Sequence, residues 1–193
     1  MPQQTTKGVN VPSLREAAEE FLAQPRIAVA GVSRDPKQPA NLIYRRLREN
    51  GHEVFAVNPN ADEDLEGDPC YPRVSDISGP VDGVVIVTTP RAAAEVVRDC
   101  AAAGVPRVWL HRGMGPGSTS PEAVELCREH GIAVIPGGCP NMFGATSDAG
   151  HRCLRVMLSA TGKIPRSVPA VEAPVRVAPA PPADARSDID AGA

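Results

Sequence analysis

Short apolar segments alternate along this chain with amphipathic segments about ten residues long. The apolar segments, rich in Val, Ile and Ala, predict buried strands at 26–30, 53–57, 83–88, 107–110 and 132–135. Amphipathic spacing, with Ser, Pro, Asp or Gly at the ends, predicts helices at 13–22, 41–49, 90–104, 120–131 and 148–160. A minimal edge strand is predicted at 70–72, because Pro72 limits strand pairing.

This alternation of strands and helices is typical of a parallel sheet with right-handed crossovers. We therefore predict an α/β fold, a Rossmann-like three-layer α/β/α domain with a mostly parallel sheet. The predicted organisation is a leader and helix at 1–24, the domain at 25–162 and a tail at 163–193. From about Pro165 the tail contains Pro, Ala and charge without apolar periodicity, so we expect it to be disordered and dispensable.

Composition narrows the range of partners and compartments. Aromatic residues make up 3% of the chain, so the core depends on Val, Ile, Leu and Ala, which suits a buried parallel sheet. The net charge of −3 gives no reason to expect nucleic acid or an anionic membrane as partner. Residues 1–10 lack the apolar core of a secretory signal, and five cysteines without a CxxC pair favour reduced thiols. We predict a cytoplasmic protein, and a homo-oligomer is compatible with the sequence.

The loop after the first predicted strand is the first candidate for chemistry. It joins Gly31 to a helix N-terminus, whose free N–H groups and positive dipole end favour phosphate. In this interpretation Ser33 donates its hydroxyl, and Arg34 and Lys37 neutralise phosphate charge. The alternative is an ordinary connecting loop with solvated charges.

This loop does not match the dinucleotide-binding fingerprint. Ser33 and Pro36 stand where that pattern requires glycines. The second strand ends in Asn58-Pro59, where an NAD site usually has Asp or Glu to bind the ribose. Both departures count against NAD(H), and the absence of a GxxxxGK[ST] segment excludes a P-loop ATPase.

Two further loops follow predicted strands. Thr88, Thr89 and Pro90 are placed to flank a base or ribose, or else Thr89 caps the next helix with Pro90 at its first position. The segment 111–117 holds three glycines, which allow a ligand to approach the backbone closely. Gly113 is therefore a candidate contact, and the alternative is a flexible connector.

The segment after the last strand carries Cys139, His151 and Cys153, which are residue types that bind soft metals. Their spacing matches no common zinc pattern. We therefore predict no metal site, and a small buried thiol at Cys139. We also find no nucleophile or acid–base pair at a defensible spacing, so we predict no catalytic residues and favour a protein that is not an enzyme.

Several of these segments together resemble the coenzyme A-binding domain family, which also occurs at the N-terminus of the succinyl-CoA synthetase α subunit. The matching segments are 27–33, 51–59, 71–72, 81–88, Pro90 and 108–110. The chain looks most similar to the small stand-alone bacterial members. The synthetase's phosphohistidine lies in another domain, so the resemblance implies binding of CoA or an acyl-CoA without the ligase reaction.

The resemblance also assigns site residues. It places the phosphate loop at Gly31, Val32, Ser33 and Arg34, the second-strand loop at Asn58 and Pro59, and the base-flanking loop at Thr88, Thr89 and Pro90. Stand-alone members often open the first crossover helix with Ser-Tyr, and Asn41 stands in the matching pair here.

Three hypotheses remain for the function. The first is a CoA-binding module, in which Arg45 and Arg46 behind the first loop add positive charge for the extra phosphate of CoA. The second is an NAD(P)-binding oxidoreductase with an atypical phosphate loop. The third is a non-catalytic interaction protein that docks a partner through its tail.

Overall fold

A parallel sheet forms the centre of the fold. The computed structural model describes residues 11–61, 63–113, 115, 117–162 and 164–169. Within these ranges six strands pair in the order β3-β2-β1-β4-β5-β6, and every pair is parallel. The strands are β1 (Arg26–Ala30), β2 (Glu53–Val57), β3 (Cys70–Tyr71), β4 (Gly83–Ile86), β5 (Arg107–Leu110) and β6 (Ala133–Pro136). This is the strand order of a doubly wound Rossmann sheet, which confirms the predicted fold class.

Five α-helices connect or follow these strands in the described part of the chain. They are α1 (Leu14–Leu22), α2 (Pro39–Glu49), α3 (Pro90–Ala102), α4 (Pro121–Glu129) and α5 (Ala149–Ala160). The predicted capping box is present at α1, where the Ser13 side chain accepts from the Glu16 N–H and the Glu16 carboxylate accepts from the Ser13 N–H.

Two element boundaries differ from the prediction for local reasons. Helix α2 begins at Pro39 rather than at residue 41. The N–H of a first helical residue has no partner within the helix, so proline, which has no N–H, is favoured at that position. Strand β4 ends at Ile86 rather than at Thr88. The Thr88 N–H instead donates to the Ser118 hydroxyl at 2.8 Å, which takes that residue out of the ladder.

Alternate residues of β1 serve two separate hydrophobic cores. Ile27 and Val29 pack in a cluster with residues of α1, α2 and α5. Ala28 and Ala30 pack in a second cluster with residues of α3 and α4. Helices therefore cover both faces of the sheet, which confirms the three-layer arrangement and explains why its central strands are apolar throughout.

The segment 164–169 packs on the domain, although the sequence places it in the tail. Ile164 and Val168 are 3% and 4% exposed. The Leu14 N–H donates to the carbonyl of Arg166 at 3.0 Å, so the segment runs beside the start of α1. The ordered part of the domain therefore extends past the predicted boundary at 162. Two isolated apolar side chains make no periodic pattern, which is why the sequence did not indicate this.

The remainder of the predicted tail, 170–193, and residues 1–10 of the leader lie outside the described residues. Among the helices that the structure describes, none is long and apolar enough to cross a membrane.

The strand order fixes where a ligand has room to bind. From β1 the chain first adds β2 and β3 on one side, and then returns to add β4, β5 and β6 on the other. The loops that follow β1 and β4 therefore turn to opposite faces, and a crevice opens between them at the carboxyl ends of the strands.

Candidate functional site

The main cleft lies at this switch point and has a volume of about 360 Å³. Its walls come from the carboxyl ends of β1, β2, β3 and β4 and from one side of α3. The lining residues are Ala30, Gly31, Val57, Asn58, Pro59, Asn60, Pro72, Arg73, Thr88, Ala92, Glu95, Val96 and Asp99. A cleft of this size, with an apolar wall and a few polar groups, suits a nucleotide-sized ligand.

Gly31 forms the point where the loops after β1 and β4 meet. Its φ of +106° lies in the region that favours glycine, and a Cβ there would stand 2.3 Å from the carbonyl oxygen of Val87. Its N–H donates to the carbonyl of Val57 at 2.9 Å. The close backbone approach therefore depends on the missing side chain.

Asn58 frames the cleft on the side of β2. Its Nδ2 donates to the carbonyl of Val32 at 2.8 Å, and its Oδ1 accepts from the Asn60 N–H at 2.9 Å. The amide thus joins the loops after β1 and β2, and Pro59 beside it is exposed. This end of β2 is neutral, as predicted, where a carboxylate would repel a phosphorylated ribose.

The loop after β4 is fixed by a pair of hydrogen bonds. The Ser118 hydroxyl accepts from the Thr88 N–H and donates to the Thr88 carbonyl, both at 2.8 Å. Thr89 caps α3 by accepting from the Ala92 N–H, and Pro90 takes the first helical position. The capping interpretation of Thr89 is confirmed, and Thr88 and Ala92 line the cleft.

A side pocket of about 340 Å³ lies on the other side of the first loop. Ser33 and Arg34 line it together with Pro36 and residues 63–66. The Arg34 Nε donates to Glu63 Oε1 at 2.5 Å. Lys37 is exposed on the same loop and is absent from the lining of both spaces. The predicted phosphate-loop residues therefore lie beside the main cleft rather than inside it, apart from Gly31.

Asn41 positions the first loop instead of facing the cleft. It is 1% exposed. Its Oδ1 accepts from the Ser33 N–H at 3.1 Å, and its Nδ2 donates to the Ser33 carbonyl and to Glu66 Oε1, each at 2.7 Å. With all these partners inside the protein, Asn41 holds the loop against α2, and Val32 beside it is fully buried.

The structure does not place Arg45 and Arg46 at the cleft. Arg45 Nη1 contacts Glu66 Oε1 at 2.7 Å, and Arg46 Nη2 lies 3.5 Å from Asp148 Oδ2. Both arginines therefore join α2 to neighbouring elements. Their spacing on the helix gave no sign of these acidic partners, which come from distant parts of the chain.

Gly113 lies in the loop after β5, away from the lining of the main cleft. A Cβ at Gly113 would be 3.6 Å from Cε1 of His111. His111 is buried, and burial together with the nearby His151 lowers its pKa to about 4. The imidazole is therefore neutral at physiological pH.

The cysteine and histidine residues near α5 do not assemble into a metal site. His151 Nδ1 contacts Asp148 Oδ2 at 2.8 Å, and Cys153 is exposed. Burial raises the pKa of the Cys139 thiol to about 12, so the thiol stays protonated. No group of three His, Cys, Asp or Glu side chains within the described ranges is arranged to hold a metal ion.

One side of α3 contributes to the cleft and was not predicted. Ala92, Glu95, Val96 and Asp99 recur at helical spacing, so they share one face. Arg73, just after β3, is also a lining residue. This face could have been predicted from the sequence, because ligands at a switch point contact the first turns of the helix after β4 as well as the loop before it.

Comparison with known proteins matches most of the described chain to one family. The model of a CoA binding domain family matches residues 25–145, which include all six strands. The chain is 31% identical over 143 residues to the ADP-forming acetate–CoA ligase II of Archaeoglobus fulgidus, covering 69% of this chain but only 20% of the ligase.

Two smaller proteins match over most of their own length. The uncharacterized protein YneT of Bacillus subtilis is 28% identical over 128 residues, covering 66% of this chain and 91% of YneT. A hypothetical protein from Pyrococcus horikoshii has a similar structure, with a TM-score of 0.60 and 27% identity, covering 72% of this chain and 93% of that one. From the match to the family model, this chain belongs to the family of CoA-binding domains.

Proposed function

We propose that the main cleft binds coenzyme A or an acyl-CoA, and that the protein carries out no chemical step of its own. The observation that carries this proposal is the cleft at the switch point, built on the close approach at Gly31 and bounded by the neutral Asn58. The acetate–CoA ligase relative is named for CoA, and our proposal transfers only the ligand to this chain and not the ligase reaction.

The charges around the cleft support one orientation of the ligand. Glu95 and Asp99 give negative charge to the α3 side. On the side of the first loop, Arg34 and Lys37 carry positive charge, with Asp35 between them and Glu63 paired to Arg34. We therefore place the adenine base against Ala92 and Val96 on α3, and the pyrophosphate towards the first loop.

The start of α2 fits an anion on that side. Its N-cap, Gln38, makes no side-chain cap hydrogen bond. The side chains of the other N-caps do accept such bonds; they are Ser13, Thr89, Ser120 and Asp148. Pro39 has no N–H and the Asp35 carboxylate already accepts from the Lys37 N–H, so it is the helix dipole, rather than a set of free N–H groups, that favours an anion at this end.

The same residues disfavour the oxidoreductase alternative. A dinucleotide site holds the ribose hydroxyls with a carboxylate at the end of β2. Here that position is Asn58, and its side-chain amide is hydrogen-bonded to the protein backbone instead. An interaction protein would not require a cleft of this volume at the switch point, so CoA binding explains more of the structure.

Replacing Arg34 with alanine is expected to weaken CoA binding about five- to tenfold. This lies near the lower end for a hydrogen bond to a charged group, because the guanidinium is exposed and screened. Isothermal titration calorimetry at low and high salt measures the loss, which should shrink as salt rises. Arg128→Ala is the matched control, since Arg128 is also exposed and paired with a glutamate but lies on α4. An equal effect of both substitutions would show that only net charge matters.

A further inference from the structure

The acidic strap, residues 63–68, is firmly attached to α2 at one end. Leu65 is 4% exposed and belongs to the core, and its backbone pairs with that of Asp68 in both directions, at 2.9 and 3.1 Å. Asp68 Oδ2 accepts from the Tyr44 hydroxyl at 2.7 Å. The backbone of the strap is therefore held in place.

Glu66 makes the attachment stronger. Its φ of +57° is unusual for a residue with a side chain, so its backbone is strained. The strained residue points its carboxylate to Asn41 Nδ2 and Arg45 Nη1, both at 2.7 Å. These two bonds anchor the strap to the helix that follows the candidate phosphate loop.

Glu63, at the other end of the strap, has a different environment. Its side chain is 57% exposed, and it pairs with Arg34, which is 56% exposed. Arg34 Nη1 also lies 3.5 Å from the carbonyl of Asn60, a residue that lines the main cleft. The Glu63 carboxylate thus occupies, on the guanidinium, the kind of position that a phosphate oxygen would take.

We propose that Glu63 competes with the ligand phosphate for Arg34 and thereby sets the threshold for binding. This inference rests on the proposed function of the cleft. Because the base of the strap is anchored, the exchange takes place by rotation of the Glu63 side chain, without opening of the loop. The pair lowers the affinity of every anion that uses Arg34 by the same factor, so a ligand must make further contacts in the cleft in order to bind.

The strength of the pair suits such an exchange. Exposed ion pairs contribute at most about 1 kcal/mol, so removing the competing carboxylate should tighten CoA binding about two- to fivefold.

The Glu63→Gln variant tests the competition by titration calorimetry with CoA. We expect two- to fivefold tighter binding than in the unsubstituted protein. Asp64→Asn is the control, because it makes the same change of charge at the neighbouring exposed residue, and it should have a much smaller effect. The gain from Glu63→Gln should disappear when Arg34 is also replaced with alanine. A gain that is equal in the two carboxylate variants, or that persists without Arg34, would overturn the proposal.

A second measurement separates this inference from the function on which it rests. Inorganic pyrophosphate is titrated into the labelled protein while the Arg34 Nε–H resonance is followed by NMR. Glu63→Gln should shift that resonance in the free protein and lower the pyrophosphate concentration needed to move it. If this occurs while CoA fails to bind, the proposed function is contradicted and the competition stands. If the resonance responds identically in both proteins, the competition is wrong whatever CoA does.

Discussion

Replacing Gly31 with alanine is expected to lower the free energy of unfolding by roughly 2–6 kcal/mol and to abolish ligand binding. Two effects add. The φ of +106° is strained for any residue with a side chain, and the new Cβ would meet the Val87 carbonyl oxygen at 2.3 Å. That oxygen belongs to backbone next to β4, so relief requires the ends of β1 and β4 to move apart. Since both ends line the cleft, its shape changes with them.

Gly51→Ala provides the matched control for this prediction. Gly51 also has a positive φ, +88°, but a Cβ there has nothing within 4 Å. Its replacement should therefore cost only the conformational strain, about 1–2 kcal/mol. Urea unfolding of both variants gives the comparison. Similar losses of stability in the two variants would show that the close approach at Gly31 does not contribute to the free energy of unfolding.

A chain ending at Gly162 is expected to be less stable than one ending at Pro169 by about 2–4 kcal/mol. Removing residues 164–169 takes away the buried side chains of Ile164 and Val168, each of which contributes about 1.5–3 kcal/mol when fully buried. The unfolded state already buries part of that surface, which reduces the sum. The melting temperature should fall by roughly 4–16 °C.

The chain ending at Pro169 is itself the control, because it lacks only residues 170–193. We expect it to melt at the temperature of the full chain, since the composition beyond residue 169 lacks apolar periodicity. Equal melting temperatures for the two shortened chains would contradict the packing of residues 164–169.

The sheet could be predicted because its signal is local. A strand such as β1, with the sequence Arg-Ile-Ala-Val-Ala, is apolar on both faces, and only a sheet covered by helices on both sides requires that. Helix ends were equally visible where a capping residue marks them, as at Ser13. The end of β4 could not be predicted, because the Thr88 N–H bonds to the hydroxyl of Ser118, thirty residues further along the chain, and not to a neighbouring strand.

The position of the cleft could be predicted, but the direction of the side chains around it could not. The carboxyl ends of the strands follow from topology, and four of the predicted residues do line the cleft: Gly31, Asn58, Pro59 and Thr88. Asn41 and Arg45 instead bind Glu66, whose unusual backbone conformation has no signal in the sequence. Contacts between distant segments decided which polar side chains bind within the protein and which line the cleft.

The central claim, that CoA binds at the switch point, is tested most directly by titration calorimetry of CoA and NAD against the protein and its Ala92→Trp variant. Ala92 lines the cleft on the first turn of α3, so the indole should fill the space proposed for the base without disturbing the core. We predict that CoA binds more tightly than NAD, and that Ala92→Trp weakens CoA at least about tenfold, or 1.4 kcal/mol, while keeping the melting temperature. Tighter binding of NAD than of CoA, or undiminished CoA affinity in the folded Ala92→Trp variant, would contradict the account.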